Sequence, residues 1–256
     1  MKPLLFKKVI LMVISTFSIT VSANAVLKKN KSIQFYVDDI KPWAYTENGI
    51  KKGVLVDWAQ AIIDKSGVET EVVFAPLPRV TKYLMSNEAD VALHIYDESL
   101  SSSVDIIGSL TPLKTAIISR KDTNITSLDD LSDLVICQTR GIDYSNILTN
   151  NITLTFNNYQ VGSYEQLNKM LFLDRCDAVI SIVDSFFYIA AKLGHSKDEF
   201  AKPFIIETRY GGLLVSKNTK NRSAKQKIQA AYLKLEAQGK LKAIINKHIG
   251  TNLLKK

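Results

Sequence analysis

Between residues 33 and 95 the hydrophobic period switches repeatedly between two and about 3.6 residues, and this alternation restricts the fold more than any other feature of the chain. Ile33, Phe35 and Val37 alternate as on a half-buried strand, which Asp38-Asp39 and Lys41-Pro42 break. A loop with Gly49 and Gly53 leads into a predicted helix over 54–66, with Leu55, Trp58, Ala59, Ile62 and Ile63 on one face and Gly67 as its stop. Strand signals return at 72–74 and 90–95, with a short helix at 79–85 between them. Strand, helix, strand, helix, strand is the order of an α/β unit with a parallel sheet, and it excludes all-helical and all-β architectures.

The rest of the chain repeats the theme. After an irregular stretch from 97 to 112, residues 116–118 read as a short strand leaving the first unit. A second series follows, with strands expected at 134–138, 152–156, 178–183 and 204–206 and helices near Leu128, near Tyr144, at 164–172 and at 184–193. Residues 211–215 form another short strand. Two amphipathic helices close the chain, around Ile228, Tyr232 and Leu235 and around Leu241, Ile244, Ile245 and His248. No internal repeat and no low-complexity linker interrupts this order.

The chain carries a net charge of +8, which raises the question of nucleic acid or an acidic membrane. The charge is unevenly placed. Lys2, Lys7 and Lys8 precede an apolar run, 9–21, and Ala23-Asn24-Ala25 sets small residues where a secretory cleavage site needs them. The run is shorter than the roughly 20 residues of a spanning helix. A signal peptide cleaved after Ala25 is therefore expected, with an exported, soluble mature protein. Removing its three lysines leaves +5, and residues 217–256 alone carry +10, so residues 26–216 are acidic at −5. The basic tail lies on amphipathic helices without the aromatic interleaving that stacks bases. The charge thus reads as a solvated helix face, and no nucleic acid is implied.

Three scattered histidines and two cysteines offer no zinc spacing, so no metal is expected. Cys137 falls late in one predicted strand and Cys176 just before another. Parallel neighbours would hold those ends roughly 10 Å or more apart, beyond disulfide reach, although an oxidising compartment permits a bond.

The order of motifs resembles the extracellular solute-binding proteins of family 3, the periplasmic receptors of polar amino acid ABC importers. The resemblance rests on Lys41-Pro42-Trp43-Ala44-Tyr45 after the first strand, on Gly53 ahead of a helix containing Asp57 and Ala59, and on the Ala89-Asp90-Val91-Ala92 turn. It continues with Ser127-Leu128-Asp129-Asp130-Leu131, with a strand running into Gly141, with the Leu171 to Val179 pattern and with the last helix pair near Leu235 to Leu241. It covers essentially residues 31–249. The resemblance implies an α/β, two-lobed type II periplasmic binding protein with parallel-type sheets flanked by helices. Lobe 1 would comprise 26–115 plus 213–256, and lobe 2, 116–212, would be inserted between. Two strands near 113–119 and 209–216 would form the hinge.

Candidate site residues follow from this frame. Trp43 and Tyr45 sit just past the first strand, where an aromatic face can cover an apolar or cationic group; packed loop anchors are the plainer reading. His94 and Tyr96 end the third strand at a carboxyl edge, with a solvent-facing or core-satisfied His94 as the alternative. Arg79 follows Pro78 at a helix start, where a guanidinium forks onto a carboxylate or makes a surface ion pair. Thr139, Arg140, Gly141 and Tyr144 form a lobe 2 loop entering a helix, which favours an anion. Asp184 lies two residues beyond the family's amino-binding aspartate position, which Ile182 fills. The family's arginine after the third strand is also missing from Tyr96-Asp97-Glu98-Ser99-Leu100. Both ends of the usual amino acid clamp therefore differ.

The function implied is a periplasmic receptor that captures a small polar or anionic solute, an amino acid or a relative, and delivers it to an inner-membrane ABC permease. It would act as a monomer, without cofactor and without catalysis. Two alternatives remain: an enzyme similar to cyclohexadienyl dehydratases, with Glu98, Asp143 or His94 as acid or base, and a sensory module. No nucleophile elbow, His-Glu-x-x-His or phosphate loop supports the enzyme.

Overall fold

The computed structural model describes residues 33–109, 112–142, 144, 148, 157–218 and 220–253, the last five without side chains. The expected signal peptide, the expected strand at 152–156 and Asp143 lie outside the described residues. No described helix is long and apolar enough to cross a membrane.

Lobe 1 is built on a five-stranded sheet. Its strands are β1 (Ile33–Asp38), β4 (Thr70–Ala75), β5 (Val91–Ile95), β6 (Val104–Ser109) and β12 (Gly211–Ser216), in the order β4-β1-β5-β12-β6. β1 runs parallel to β4 and β5, as the alternating pattern requires. β12 is antiparallel to both β5 and β6, so the sheet is mixed and not parallel throughout. The reason is the direction of return: β12 arrives from lobe 2 and enters between strands laid down before the chain left.

One face of this sheet is covered by α1 (Val54–Ser66) and the two closing helices, α5 (Arg222–Ala237) and α6 (Lys240–Leu253). Ile33, Phe35 and Val37 point into that layer with Trp58, Ile62, Ile228 and Tyr232. The intervening Tyr36 points to the other face, where α2 (Leu77–Met85) contributes Val80 and Leu84. Strand period two and helix period 3.6 thus divide the same segment between two cores. Gly67 closes α1 in the left-handed conformation, its N–H reaching the Ile63 carbonyl, as a helix-stop glycine does. Trp58 donates from Nε1 to the Leu241 carbonyl at 2.9 Å, tying α1 to α6.

Lobe 2 repeats the plan. Its sheet has the order β11-β7-β10-β8-β9, made of β7 (Leu113–Ser119), β8 (Val135–Thr139), β9 (Asn157–Val161), β10 (Ala178–Ile182) and β11 (Phe204–Arg209). α3 (Tyr164–Phe172) and α4 (Val183–Lys192) cover one face. Ala116, Ile118, Cys137 and Val179 face those helices, and Ile117, Ile136, Ala178 and Ile180 face the opposite layer. The chain leaves the lobe 1 sheet after Ser109, enters the lobe 2 sheet at Leu113, and returns between Arg209 and Gly211.

Three features depart from the sequence reading. The loop at Gly49 is a small hairpin, β2 (Tyr45–Glu47) with β3 (Ile50–Lys52). The stretch read as irregular contains β6, an edge strand. Helical signal near Leu128 is a single 3-10 turn, Asp129–Leu131.

The cysteines require a correction as well. Cys137 and Cys176 form a disulfide with Cα atoms 5.9 Å apart. The expected separation assumed that Cys176 continues the line of β10. Instead the turn after α3, with Asp174 in the left-handed region, brings Cys176 over the sheet face into the core that already holds Cys137. The bond spans 39 residues, a loop whose closure entropy corresponds to about 4 kcal/mol on the chain-entropy account. Thiol titration of the unfolded, unreduced protein should detect no free thiol, and the Cys137→Ala/Cys176→Ala variant should lose stability of that order in a denaturant titration. Two titrating thiols would exclude the bond.

Candidate functional site

A crevice of about 410 Å³ opens between the lobes. In lobe 1 the chain goes from β1 to β4 on one side and then to β5 on the other, and in lobe 2 from β8 to β9 on one side and then to β10 on the other, so the order reverses at β1 and at β8. Open α/β sheets receive ligands beyond the carboxyl ends of strands at such reversals. The lining follows this rule. Asp39, Ile40 and Lys41 continue β1, Pro76 to Pro78 follow β4, Thr139 and Arg140 end β8, and Gly162 to Glu165 follow β9.

Among the ten sequence candidates, Tyr45, Thr139 and Arg140 line the crevice. Thr139 presents a buried hydroxyl with no partner, a group that costs free energy until something bonds it. Arg140 is exposed, its backbone N–H bonded to Val161 at 2.9 Å. Gly141 has positive φ and lies against the ring of Pro78, a residue of the crevice lining, without lining it itself.

Six candidates are placed elsewhere. Trp43 is 2% exposed in the lobe 1 core, a packed loop anchor whose carbonyl accepts from Leu55 N–H at 2.8 Å. Gly53 makes that approach feasible, because a Cβ at its φ of 120° would strike the same carbonyl. Arg79 is exposed on α2 outside the crevice. Tyr96 packs against the lobe 1 core on the α2 side, and Tyr144 is buried in lobe 2. Burial raises the pKa of Tyr144, so its phenol stays protonated. Asp184 lies off the crevice near Lys197 and Lys114, which favour its charged form; burial outweighs them and raises its pKa.

His94 is satisfied within the core. Its Nδ1 lies 2.6 Å from Asp38 Oδ1 and its Nε2 2.9 Å from Thr81 Oγ1, with imidazole and carboxylate both nearly without solvent. This network joins the carboxyl ends of β1 and β5 to α2. Neither His94 nor Glu98, considered as a catalytic group, lines the crevice. Among the described residues no group of His, Cys, Asp and Glu is placed to hold a metal ion.

The sequence reading missed Asp39, Lys41 and Glu165. Lys41 Nζ meets Glu165 Oε1 at 2.7 Å across the crevice. Burial is the largest single influence on Glu165 and opposes its charge, but the bond and charge of Lys41, together with hydrogen bonds from its own backbone N–H and from Ser163, outweigh it and keep its pKa below the usual value. Asp39 is raised instead, first by burial and then by repulsion from Glu165, with Lys41 only partly compensating. The signal available for Glu165 was Gly162-Ser163 at the expected helix start. Ser163 caps α3 by accepting from Gln166 N–H at 3.1 Å, which aims the positive end of the helix at the crevice.

The sequence and the fold are similar to those of known proteins. Residues 33–251 match the family described as bacterial extracellular solute-binding proteins, family 3. An ABC uptake transporter substrate-binding protein from Streptococcus pneumoniae, solved with bound histidine, superposes with a TM-score of 0.71 at 19% identity, covering 86% of this chain and 93% of that one. A histidine kinase sensor domain similar to periplasmic binding proteins gives 0.72 at 19%, covering 86% and 97%. The GluR0 ligand-binding core from Nostoc punctiforme, in complex with glutamate, gives 0.70 at 18%, covering 85% and 99%. A comparison with curated proteins gives no match.

Two outcomes follow from these placements. His94→Ala should destabilise the fold by about 3–5 kcal/mol, the scale of a buried pair that loses one partner; an unchanged denaturant midpoint would show that Asp38 needs no partner. Asp184 has a raised folded pKa, so its contribution is complete below the unfolded value and is lost as pH rises through the folded one. Asp184→Asn should therefore raise the melting temperature at neutral pH and leave it unchanged well below the carboxylate range. A lower melting temperature at pH 7 would contradict this.

Proposed function

The chain belongs to the bacterial extracellular solute-binding proteins of family 3, and on that premise we propose that it captures a small polar solute between its lobes, outside the cytoplasm, and delivers it to an ABC-type permease. It works as a monomeric receptor without catalysis. The observation that carries this reading is the crevice itself: both topological reversals face it, and it holds groups of both charges beside an unbonded hydroxyl. Lys41 and Glu165 neutralise each other, so the groups left for a solute are the Asp39 carboxylate on lobe 1 and Arg140 with Thr139 on lobe 2. The lobe 2 set, next to the start of α3, favours an anionic group. The Asp39 carboxylate favours a cationic one, which would also relieve its repulsion from Glu165. An amino acid or a similar dipolar solute satisfies both.

A sensory role uses the same crevice, and the similarity to a sensor domain supports it as the second reading. Loss of solute uptake on deletion of the gene separates transport from sensing.

A thermal-shift screen of amino acids, small dicarboxylates and polyamines should find a solute that raises the melting temperature. At one hundred times its Kd such a solute stabilises by about 2.7 kcal/mol. Arg140→Ala should weaken its binding roughly 10- to 100-fold, the scale of a charge-assisted hydrogen bond, whereas Arg79→Ala should leave it unchanged. A hit indifferent to Arg140→Ala would move the site away from this loop.

A further inference from the structure

The two lobes bond directly to each other across the crevice. Lys41 of lobe 1 pairs with Glu165 of lobe 2, and near them the Tyr45 and Tyr188 hydroxyls lie 3.2 Å apart with ring centroids at 6.3 Å. The Tyr45 pKa is raised, first by its bond to Tyr188 and then by burial. Tyr164, the first residue of α3, packs against the apolar core of lobe 1 as well as that of lobe 2. Ile182, at the end of β10, is buried in the lobe 1 core too.

The two ends of Tyr164 sit in different surroundings. The ring is held by apolar neighbours from both lobes. The hydroxyl is buried without a partner, and burial raises its pKa far above the ordinary value, with Tyr144 of lobe 2 and Asp38 of lobe 1 adding to the effect. An orphaned hydroxyl is unfavourable, so packing of the ring, and not its polar end, keeps Tyr164 in place. A partly exposed ion pair contributes little, whereas the half-buried Tyr164 ring, packed by apolar side chains of both lobes, removes more apolar surface from water. Every one of these contacts joins one side chain to another, and none requires a solute atom.

We propose that these contacts are a latch: the lobes close on each other through their own side chains, with the Tyr164 ring, part of the crevice wall, as a wedge between them. A solute then enters only after the wedge has left lobe 1, and its apparent affinity is reduced by the fraction of molecules that remain latched. The role of the solute rests on reading the crevice as its site; the latch itself does not.

The experiment is a spin-label distance measurement between Lys82→Cys on α2 and Lys169→Cys on α3, both exposed positions, in protein stripped of solute by unfolding, dialysis and refolding. The native cysteines are paired and take no label. The stripped protein should give one short interlobe distance. Tyr164→Phe should keep it, because the ring remains, and Tyr164→Ala should shift the population to longer distances and raise solute affinity severalfold. A long distance in the unsubstituted protein overturns the latch whether or not any variant folds. A short distance retained by folded Tyr164→Ala overturns the role of the wedge. A short distance with no hit in the solute screen leaves the latch standing and removes the solute site.

Discussion

The pairing of β12 with β5 is the constraint on which the rest depends. All six residues of β12 are buried, and the strand enters the lobe 1 sheet between β5 and β6 only after the whole of lobe 2 has been made. The second lobe is thereby an insertion joined by two crossings. The carboxyl ends of β1 and β8 are brought to face each other, and the crevice lies where they meet. The close fit of this strand sets its composition: a Cβ on Gly212 would collide with the Gly108 carbonyl on β6. A strand that begins Gly-Gly carries little hydrophobic signal of its own, yet it is the element that closes lobe 1.

Much of this was legible in the sequence, and the parts that were not share a cause. The central strands and the long helices declared themselves through their periods, because burial on one or both faces demands apolar residues at fixed spacing. The hairpin at 45–52 and the edge strand β6 did not. Ile50 and Ile106 are largely exposed, and edge or hairpin strands answer to partners across the sheet and not to a core. Mixed strand direction was hidden for a similar reason. Direction belongs to the path between strands, and nothing in Leu213-Leu214-Val215 records that the chain has returned from another lobe. The disulfide was misjudged because its geometry depends on one turn, in which Asp174 takes a left-handed conformation that spacing along the strands does not reveal.

The candidate site shows the same division. Thr139 and Arg140 were identified because a strand end followed by glycine is a local signal. Trp43 was misplaced because an aromatic residue just past a strand has two environments of equal local plausibility, and only the position of α1, set by Gly53, decides between them. Lys41 and Glu165 stand 124 residues apart. Their partnership depends on the closure of the lobes, and no local pattern encodes it.

Asp38 and Asp39 are adjacent carboxylates with opposite surroundings. At the end of β1 successive side chains leave in opposite directions. Asp38 turns inward and meets His94 in a setting where both groups are nearly without solvent, so its role is to fasten two strand ends to α2. Asp39 turns outward to the crevice, where burial and the Glu165 charge raise its pKa. The same carboxylate is thus structural at one position and open to the crevice at the next, and the difference is one step along a strand. The crevice has a rigid floor beneath a charged rim. The paired acid supplies the first. The unpaired acid, set beside Lys41 on its own lobe and facing Glu165 on the opposing one, supplies the second, because its charge is felt by the contacts that hold the lobes together.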